Sequence, residues 1–249
     1  MFFPQVFPQA NEFSWRQMSV RTIGAVLLVS GGGVAFAQDA GGACGLVVDT
    51  GNMYDYRPDK FRPNGTFSTL GQVLKLVEDA HFTRPVETLQ RGHSGFKPGA
   101  DISFTLRVFP NHHRALMAMA ALGEKEKTEQ PFESTYTVEC WFRRAIVWRP
   151  DDNIARMLYS QYLFKAAREN EAEQQLAVVD KQASDNPFTL HNIGLIYFDN
   201  KKFEKALSYA HRAYDLGLQT PTLREQLKRA GKWVEKTDVT PVDSTKATN

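Results

Sequence analysis

Four candidate helix-ending positions recur along the second half of the chain at nearly constant spacing. Pro110, Pro150, Ser184 and Leu218 follow apolar segments at steps of 40, 34 and 34 residues. A repeated step of this size predicts stacked structural units, because one unit alone cannot bury its apolar face. The longer first step equals one period plus six inserted residues, which lie between the two helices of the first unit, within residues 123–136.

The residues inside each unit follow a second pattern, in which small and large side chains alternate at fixed helical positions. The first helix of a unit carries a large residue, a second large one three on, a small one directly after it and an aromatic three further on. Leu190, Ile193, Gly194 and Tyr197 show this most clearly. The corresponding positions of the earlier units are Arg156, Tyr159, Ser160 and Leu163, and Leu116, Met119, Ala120 and Gly123.

The second helix of each unit has a small-large-small pattern at steps of four and three residues. Its three copies are Val138, Phe142 and Ala145, then Ala172, Leu176 and Val179, then Ala206, Ala210 and Ala213. This set of positions resembles the tetratricopeptide-repeat (TPR) family, whose period is 34 residues. The middle unit departs from the family pattern at Arg156, and two of the three units lack the family's final proline.

The resemblance implies an all-α fold, a short α-solenoid of about three TPR helix pairs over residues 111–234. That range includes a C-terminal capping helix, which we expect from Thr220 and Pro221 to Gly231. Residues 38–110 are expected to form an arm and an irregular helical cap. Within the cap, apolar spacing predicts one helix over residues 68–79, a second beginning after Thr83 and ending at Gly92, and a third over residues 100–109. Residues 235–249 are polar and aperiodic, so they are predicted to be a flexible tail.

The resemblance also implies where a partner binds, since TPR proteins commonly use the concave face formed by their first helices. Here that face is mostly apolar, which favours an amphipathic helix or an extended peptide as ligand. Met117 and Ala121 occupy positions where some family members hold a terminal carboxylate, which disfavours that mode. The predicted partner-binding residues are Arg114, Met117, Ile154, Met157, Gln161, Phe164, Lys165, Phe188, His191, Leu195 and Phe198.

A competing interpretation fills the same face from within the chain. Residues 45–67 could fold back on the solenoid and occupy the groove with Val47, Val48, Tyr54 and Tyr56. The apolar face would then be core, and a partner would bind elsewhere. Sequence alone gives these two interpretations equal weight.

The N-terminal segment indicates export. Arg16 and Arg21 precede an apolar run over residues 23–36, and small residues at Ala35 and Ala37 match a cleavage site. Residues 1–37 are therefore predicted to be a signal peptide, with Met18 as an alternative start. An uncleaved membrane anchor is the alternative, although the apolar run is shorter than the roughly 20 residues that a spanning helix needs. Cleavage would leave a periplasmic or secreted protein with no membrane insertion.

The sequence contains two cysteines, Cys44 and Cys140, and both would remain after cleavage. In an oxidising compartment such a pair predicts a disulfide. Two unrelated thiols are the alternative.

Charge and motifs indicate few other functions. A net charge of +2 with interleaved acids and bases provides no extended basic patch for nucleic acid. Phosphate loops, nucleophile elbows and paired-cysteine metal motifs are missing from the sequence, so no cofactor and no enzymatic activity are expected. The leading prediction is an exported adaptor that binds a protein or peptide partner. The alternative is an enzyme or small-ligand protein with its site in the N-terminal cap, built from Tyr54, Asp55, Arg57, His81 and His93.

Overall fold

The computed structural model of the protein describes residues 44–47, 52–57, 69–93 and 97–236. The predicted signal peptide at residues 1–37 and residues 237–249 of the predicted tail lie outside these ranges. Within them the chain is all-helical, with ten helices and no strand. None of the helices in the described ranges combines the length and apolarity that crossing a membrane requires.

Three helices form the predicted cap: α1 (Thr69–His81), α2 (Arg84–Glu87) and α3 (Pro98–Val108). Helix α1 confirms the helix expected over residues 68–79 and extends it by two residues. Helix α2 begins after Thr83 as expected, but it has only four residues and continues as turns. Both α1 and α2 pack against α3.

The remaining seven helices follow the predicted order of three pairs and one further helix. The pairs are α4 (His113–Glu126) with α5 (Val138–Trp148), α6 (Asn153–Lys165) with α7 (Glu169–Gln182), and α8 (Pro187–Asp199) with α9 (Phe203–Asp215). Helix α10 (Thr222–Arg229) comes last and packs against α8 and α9. Within each pair the two helices pack against each other.

The chain divides into two compact units between Gln182 and Ala183. The first unit contains the cap and the first two helix pairs, in which α4 packs against α6 and α5 against α6. The second unit contains the third pair and α10.

The first helices of the three pairs begin in the same way. The N-cap residues His112, Asp152 and Asn186 each accept a hydrogen bond from a backbone N–H of the first helical turn, at 3.0–3.1 Å. Such a side chain satisfies an amide that would otherwise lack a partner at the helix start. The residue types differ, but the position and the interaction are shared.

The six-residue insertion is a loop rather than a longer helix. Helix α4 ends at Glu126, where Lys127 has a left-handed backbone with φ of 54°. The loop over residues 128–137 then lies against α3, where the Thr135 backbone N–H donates to Ser103 Oγ at 3.2 Å. Phe132 on this loop is 62% exposed.

Two glycines of the first helices, Gly194 at a small position of the repeat pattern and Gly123 at its aromatic position, lie where neighbouring segments approach closely. In the second unit, a Cβ atom added to Gly194 would lie 2.5 Å from Leu223 Cδ2 and 3.3 Å from Tyr209 Cβ. In the first unit, a Cβ on Gly123 would lie 2.8 Å from Val138 Cγ2. Ordinary side-chain contacts are longer than this, so a larger residue at Gly123 would disturb the observed packing. At Gly194 the nearest atom is the end of the flexible Leu223 side chain, which can move to admit a methyl group but not a branched side chain.

Candidate functional site

The predicted partner-binding face is only partly open in the first unit. Met157 and Phe164 are buried, whereas Met117, Ile154 and Gln161 are half-buried. The two buried side chains contribute to packing more than to an accessible surface. The half-buried residues are the ones that a ligand could contact there.

Both charged residues of this face have acidic partners. Arg114 donates to Glu87 through Nε and Nη2 at 2.7 and 2.6 Å, and to Glu78 through Nη1 at 3.1 Å. These carboxylates belong to α2 and α1, so Arg114 connects the first helix pair to the cap. Lys165 donates to Glu124 at 2.6 Å, and burial lowers its pKa despite that carboxylate. Arg114 and Lys165 therefore stabilise the fold through ion pairs within the protein.

In the second unit the predicted face lies along α8 and is more accessible at one end. Phe188, in the first turn, is 59% exposed. Leu195 and Phe198 are half-buried, and Phe198 meets Phe203 edge to face with ring centroids 5.5 Å apart. His191 is buried, and burial lowers its pKa, so a neutral imidazole is favoured. Phe188 is thus the most exposed of the predicted partner-binding residues on this helix.

A disulfide holds the N-terminal arm to α5. Cys44 and Cys140 are bonded, which confirms the predicted pair. Next to the bond, Arg144 Nη1 donates to the backbone carbonyls of Cys44 at 3.0 Å, Gly45 at 3.4 Å and Leu46 at 3.1 Å. Arg144 is itself buried, and burial lowers its pKa. A covalent bond at Cys44 and a buried guanidinium that binds the carbonyls of three consecutive arm residues therefore hold this part of the arm to α5.

Further along the arm, Asp55 sits at the centre of a buried polar network. It accepts hydrogen bonds from Arg57 (Nη2, 2.6 Å), Asn111 (Nδ2, 2.9 Å) and Arg149 (Nε, 2.9 Å). Burial alone would raise the pKa of Asp55, but these donors outweigh it and hold that pKa well below its usual range. The carboxylate therefore stays charged under all ordinary conditions.

Asn111 connects this carboxylate to a second one. Its side-chain N–H groups donate to Asp55 and, at 2.7 Å, to Asp152, while its Oδ1 accepts from the Tyr56 backbone N–H at 3.0 Å. Asp152 is the N-cap of α6 and also contacts His113 Nε2 at 2.8 Å. We call Asp55, Arg57, Asn111, Arg149 and Asp152 the arm anchor. It joins the arm to the turns that precede α4 and α6.

His112 is fully buried beneath Tyr56, whose ring stacks on it with centroids 3.9 Å apart. The Ala115 backbone N–H donates to Nδ1, so the proton lies on Nε2, which faces Glu78 Oε1 at 3.0 Å. Burial lowers the pKa of His112 in spite of the nearby carboxylate, which favours this neutral tautomer. His112 therefore both caps α4 and packs in the interior between the cap and the first helix pair.

These contacts show where the described part of the arm lies. Tyr54 packs with Leu74, Val77 and Phe109, and its backbone N–H donates to Val108 at 2.8 Å. These partners are in the cap and the turn after α3. Val48, which the groove-filling interpretation also used, lies outside the described residues. The described arm therefore lies against α5 and the helix junctions, and Tyr56 is also close to Arg114 of the predicted face.

The five residues of the alternative cap site separate into three neighbourhoods. Asp55 and Arg57 belong to the arm anchor. His81 stacks on Phe104 and contacts Asp101 at 2.9 Å, and the His93 backbone N–H donates to the same Asp101 carboxylate. Tyr54 packs among the apolar residues named above. Within the described ranges, no group of three or more His, Cys, Asp or Glu side chains is arranged to hold a metal ion.

Sequence reasoning missed the arm anchor, although its residues stand at recognisable positions. Asn111 and Asp152 follow the prolines used to find the repeat, and Arg149 precedes one of them. A signal was therefore present at the helix junctions. However, the Asp55 carboxylate to which Asn111 donates is 56 residues away, and nothing local in the sequence connects these two residues.

Neither a known protein-family model nor any curated protein matches this chain significantly.

Proposed function

We propose that this chain is an exported TPR adaptor that binds a protein or peptide partner and helps to assemble or stabilise an envelope or secreted complex. Two sets of backbone positions carry the repeat assignment. The N-cap residues His112, Asp152 and Asn186 follow one another at 40 and 34 residues. The left-handed residues that end the three first helices, Lys127, Ala167 and Lys201, follow at the same two steps.

Burial of the repeat positions supports the same proposal. The positions that the resemblance assigns to packing are buried in all three pairs, from Leu116 and Met119 to Ala210 and Ala213. The Cys44–Cys140 disulfide and the predicted leader are consistent with an oxidising, extracytoplasmic compartment. Binding is proposed to use the accessible first-helix residues, above all Phe188, because exposed aromatic side chains are frequent binding anchors.

A matched pair of variants tests the proposed binding face. Phe188→Glu places a charge on the face, and Val147→Glu places one on α5, where Val147 has a similar exposure of 62% against 59%. Each protein would be exported with an affinity tag from the same cells and captured without reductant after cross-linking. We expect one protein to be recovered in near-stoichiometric amount with wild type and Val147→Glu, and at least tenfold less with Phe188→Glu.

Two outcomes would contradict the proposal. Recovery of no stoichiometric protein with wild type would argue against an adaptor. Equal recovery of the partner protein with both variants would show that the binding site is not on α8. Equal melting temperatures of the three proteins are the control that excludes unfolding as the cause of a loss.

A further inference from the structure

The N-terminal cap brings two histidines together at one buried carboxylate. Asp101, in the first turn of α3, is 7% exposed, and its two oxygens have different partners. Oδ1 lies 2.9 Å from His81 Nδ1, and Oδ2 accepts the His93 backbone N–H at 2.6 Å. His81 ends α1 and His93 follows α2, so a single side chain of α3 positions both histidines.

The contact with Asp101 determines which nitrogen of His81 carries the proton. Because a carboxylate accepts hydrogen bonds, Nδ1 is protonated in the neutral ring and Nε2 keeps its lone pair. None of the described residues hydrogen-bonds Nε2, and the side chain is 31% exposed. The Phe104 ring lies against the imidazole with centroids 3.9 Å apart, which restricts rotation of the imidazole. His81 therefore has an available nitrogen on a ring that is held in place.

His93 places a second imidazole close to the first. The ring centroids of His81 and His93 are 6.3 Å apart. Two imidazoles that bind one tetrahedral ion at metal–nitrogen distances of about 2.0–2.1 Å have centroids roughly 5 Å apart. A shift of about 1 Å in one ring closes this difference. His93 is exposed, so its ring can make this movement without disturbing the packing around Asp101.

The chemistry of the two donors selects a class of ion. Neutral imidazole nitrogen suits Zn²⁺, Cu²⁺ and Ni²⁺, whereas Mg²⁺ and Ca²⁺ prefer oxygen ligands. A metal-binding histidine commonly donates its other ring N–H to a carboxylate, which orients the ring and makes the bound nitrogen more basic. Asp101 stands in this relation to His81.

We propose that His81 and His93 bind one divalent transition-metal ion of the zinc, copper and nickel group through their imidazole nitrogens, with Asp101 as the positioning residue. Both oxygens of Asp101 are engaged by the two histidines, so this carboxylate orients the ligands instead of being one. The protein thus supplies two ligands, and water completes the coordination of the ion. The site belongs to the cap and uses no residue of the proposed partner-binding face.

Isothermal titration calorimetry with Zn²⁺ tests this proposal on the full disulfide-bonded chain without an oligohistidine tag. The variants to compare are His81→Ala, His93→Ala and the control His211→Ala, which removes a histidine from α9. We expect wild type and the control to bind one Zn²⁺ with equal affinity, and each cap variant to bind at least tenfold more weakly. Mg²⁺ and Ca²⁺ should give no binding heat.

Nitrogen NMR of the histidine rings identifies the ligands directly. Addition of Zn²⁺ should shift the Nε2 resonance of His81 while its Nδ1 stays protonated, and should leave the buried His112, His113 and His191 unchanged. Asp101→Asn should weaken Zn²⁺ binding tenfold to a hundredfold and increase the fraction of His81 that is protonated on Nε2. A role of Asp101 in stability alone would change neither the affinity nor that fraction in the folded protein.

Three results would overturn the proposal. Equal Zn²⁺ affinity of wild type and His93→Ala would do so, because loss of this exposed side chain leaves the fold intact. Equal losses in all three histidine variants would mean that Zn²⁺ binds surface histidines without a defined site. Undetectable binding to wild type would leave the contact between His81 and Asp101 as a link between α1 and α3 alone. Partner capture through Phe188 does not involve these residues, so failure of the adaptor proposal and failure of the metal site are distinguishable.

Discussion

Asp55 shows how one buried carboxylate can couple distant parts of a chain. Its side chain is nearly excluded from water, yet three donors from the arm and two helix junctions keep it ionised. Removing the charge while keeping the shape would leave Arg57 and Arg149 facing each other without their shared partner. Removing one member of such a buried network leaves its charged partners without hydrogen bonds, which lowers the free energy of unfolding.

We therefore predict that Asp55→Asn lowers the free energy of unfolding by about 2–3 kcal/mol at pH 7. The pKa of Asp55 is lower in the folded than in the unfolded chain, so its contribution is present above the unfolded value, about 4. It is lost as the pH falls from there towards the folded value. The difference between wild type and variant should hence shrink between about pH 5 and pH 2.

Urea denaturation at several pH values measures this difference. Asp185→Asn is the matched control, because Asp185 is an exposed carboxylate in the turn before α8. We expect the control to change stability by less than about 0.5 kcal/mol at any pH. A constant difference between wild type and Asp55→Asn from pH 7 to pH 2 would show that the carboxylate is not the source of the stabilisation.

At the scale of the helix pair, close approach is set by single small residues. Gly194 faces Leu223 and Tyr209, and the nearest atom to an added Cβ is the end of the flexible Leu223 side chain. A methyl group could be accommodated by a small movement of Leu223, and alanine also favours the helix over glycine by about 1 kcal/mol. A branched side chain would meet Tyr209 Cβ and the Ala206 carbonyl as well, neither of which can move independently of α9.

The free energy of unfolding of Gly194→Ala should accordingly lie within about 1 kcal/mol of the wild-type value. That of Gly194→Val should be lower than wild type by about 2–3 kcal/mol. Ser208→Val on the exposed side of α9 controls for the lower helix propensity of valine and should cost about 0.5 kcal/mol. Thermal unfolding of the three variants provides the comparison. Similar stability of Gly194→Val and Ser208→Val would mean that α8, α9 and α10 do not pack as closely as described.

The same elements show how far sequence could predict local structure. Helix starts and ends in the pairs follow from caps, small positions and apolar spacing, all of which act within one turn or between consecutive helices. The length of α2 and the path of the 128–137 loop could not be predicted from these local signals. Both depend on contacts with α3, such as that between Thr135 and Ser103, which are separated by 32 residues.

At the scale of the whole molecule, one covalent bond joins residues that are 96 positions apart. It links the arm to the start of α5, so it restricts the unfolded chain over the cap, α4 and the loop that follows α4. Closing a loop of this length lowers the entropy of the unfolded chain, which in the loop-closure account stabilises the folded state by about 4–5 kcal/mol. Measured values are often smaller.

Replacing both cysteines (Cys44→Ser with Cys140→Ala) should therefore lower the free energy of unfolding by about 2–4 kcal/mol. Urea denaturation with and without a dithiol reductant measures it. Reductant should lower wild-type stability to that of the double variant and leave the double variant unchanged. A wild-type protein that is insensitive to reductant throughout its unfolding transition would contradict a structural role for the bond.

The sequence by itself predicted the all-helical class, the order of three helix pairs with a further helix after them, and the cysteine pair. These features could be predicted because helix capping and the periodicity of buried residues depend on residues only a few positions apart. Tertiary structure decided what the described arm covers, which residues of the predicted face are accessible, and the assembly of the arm anchor. Those features need side chains brought together over separations of up to 100 residues, as between Cys44 and Arg144. Such pairings depend on the packed geometry of the whole chain, because no local pattern specifies which distant residue will be the partner.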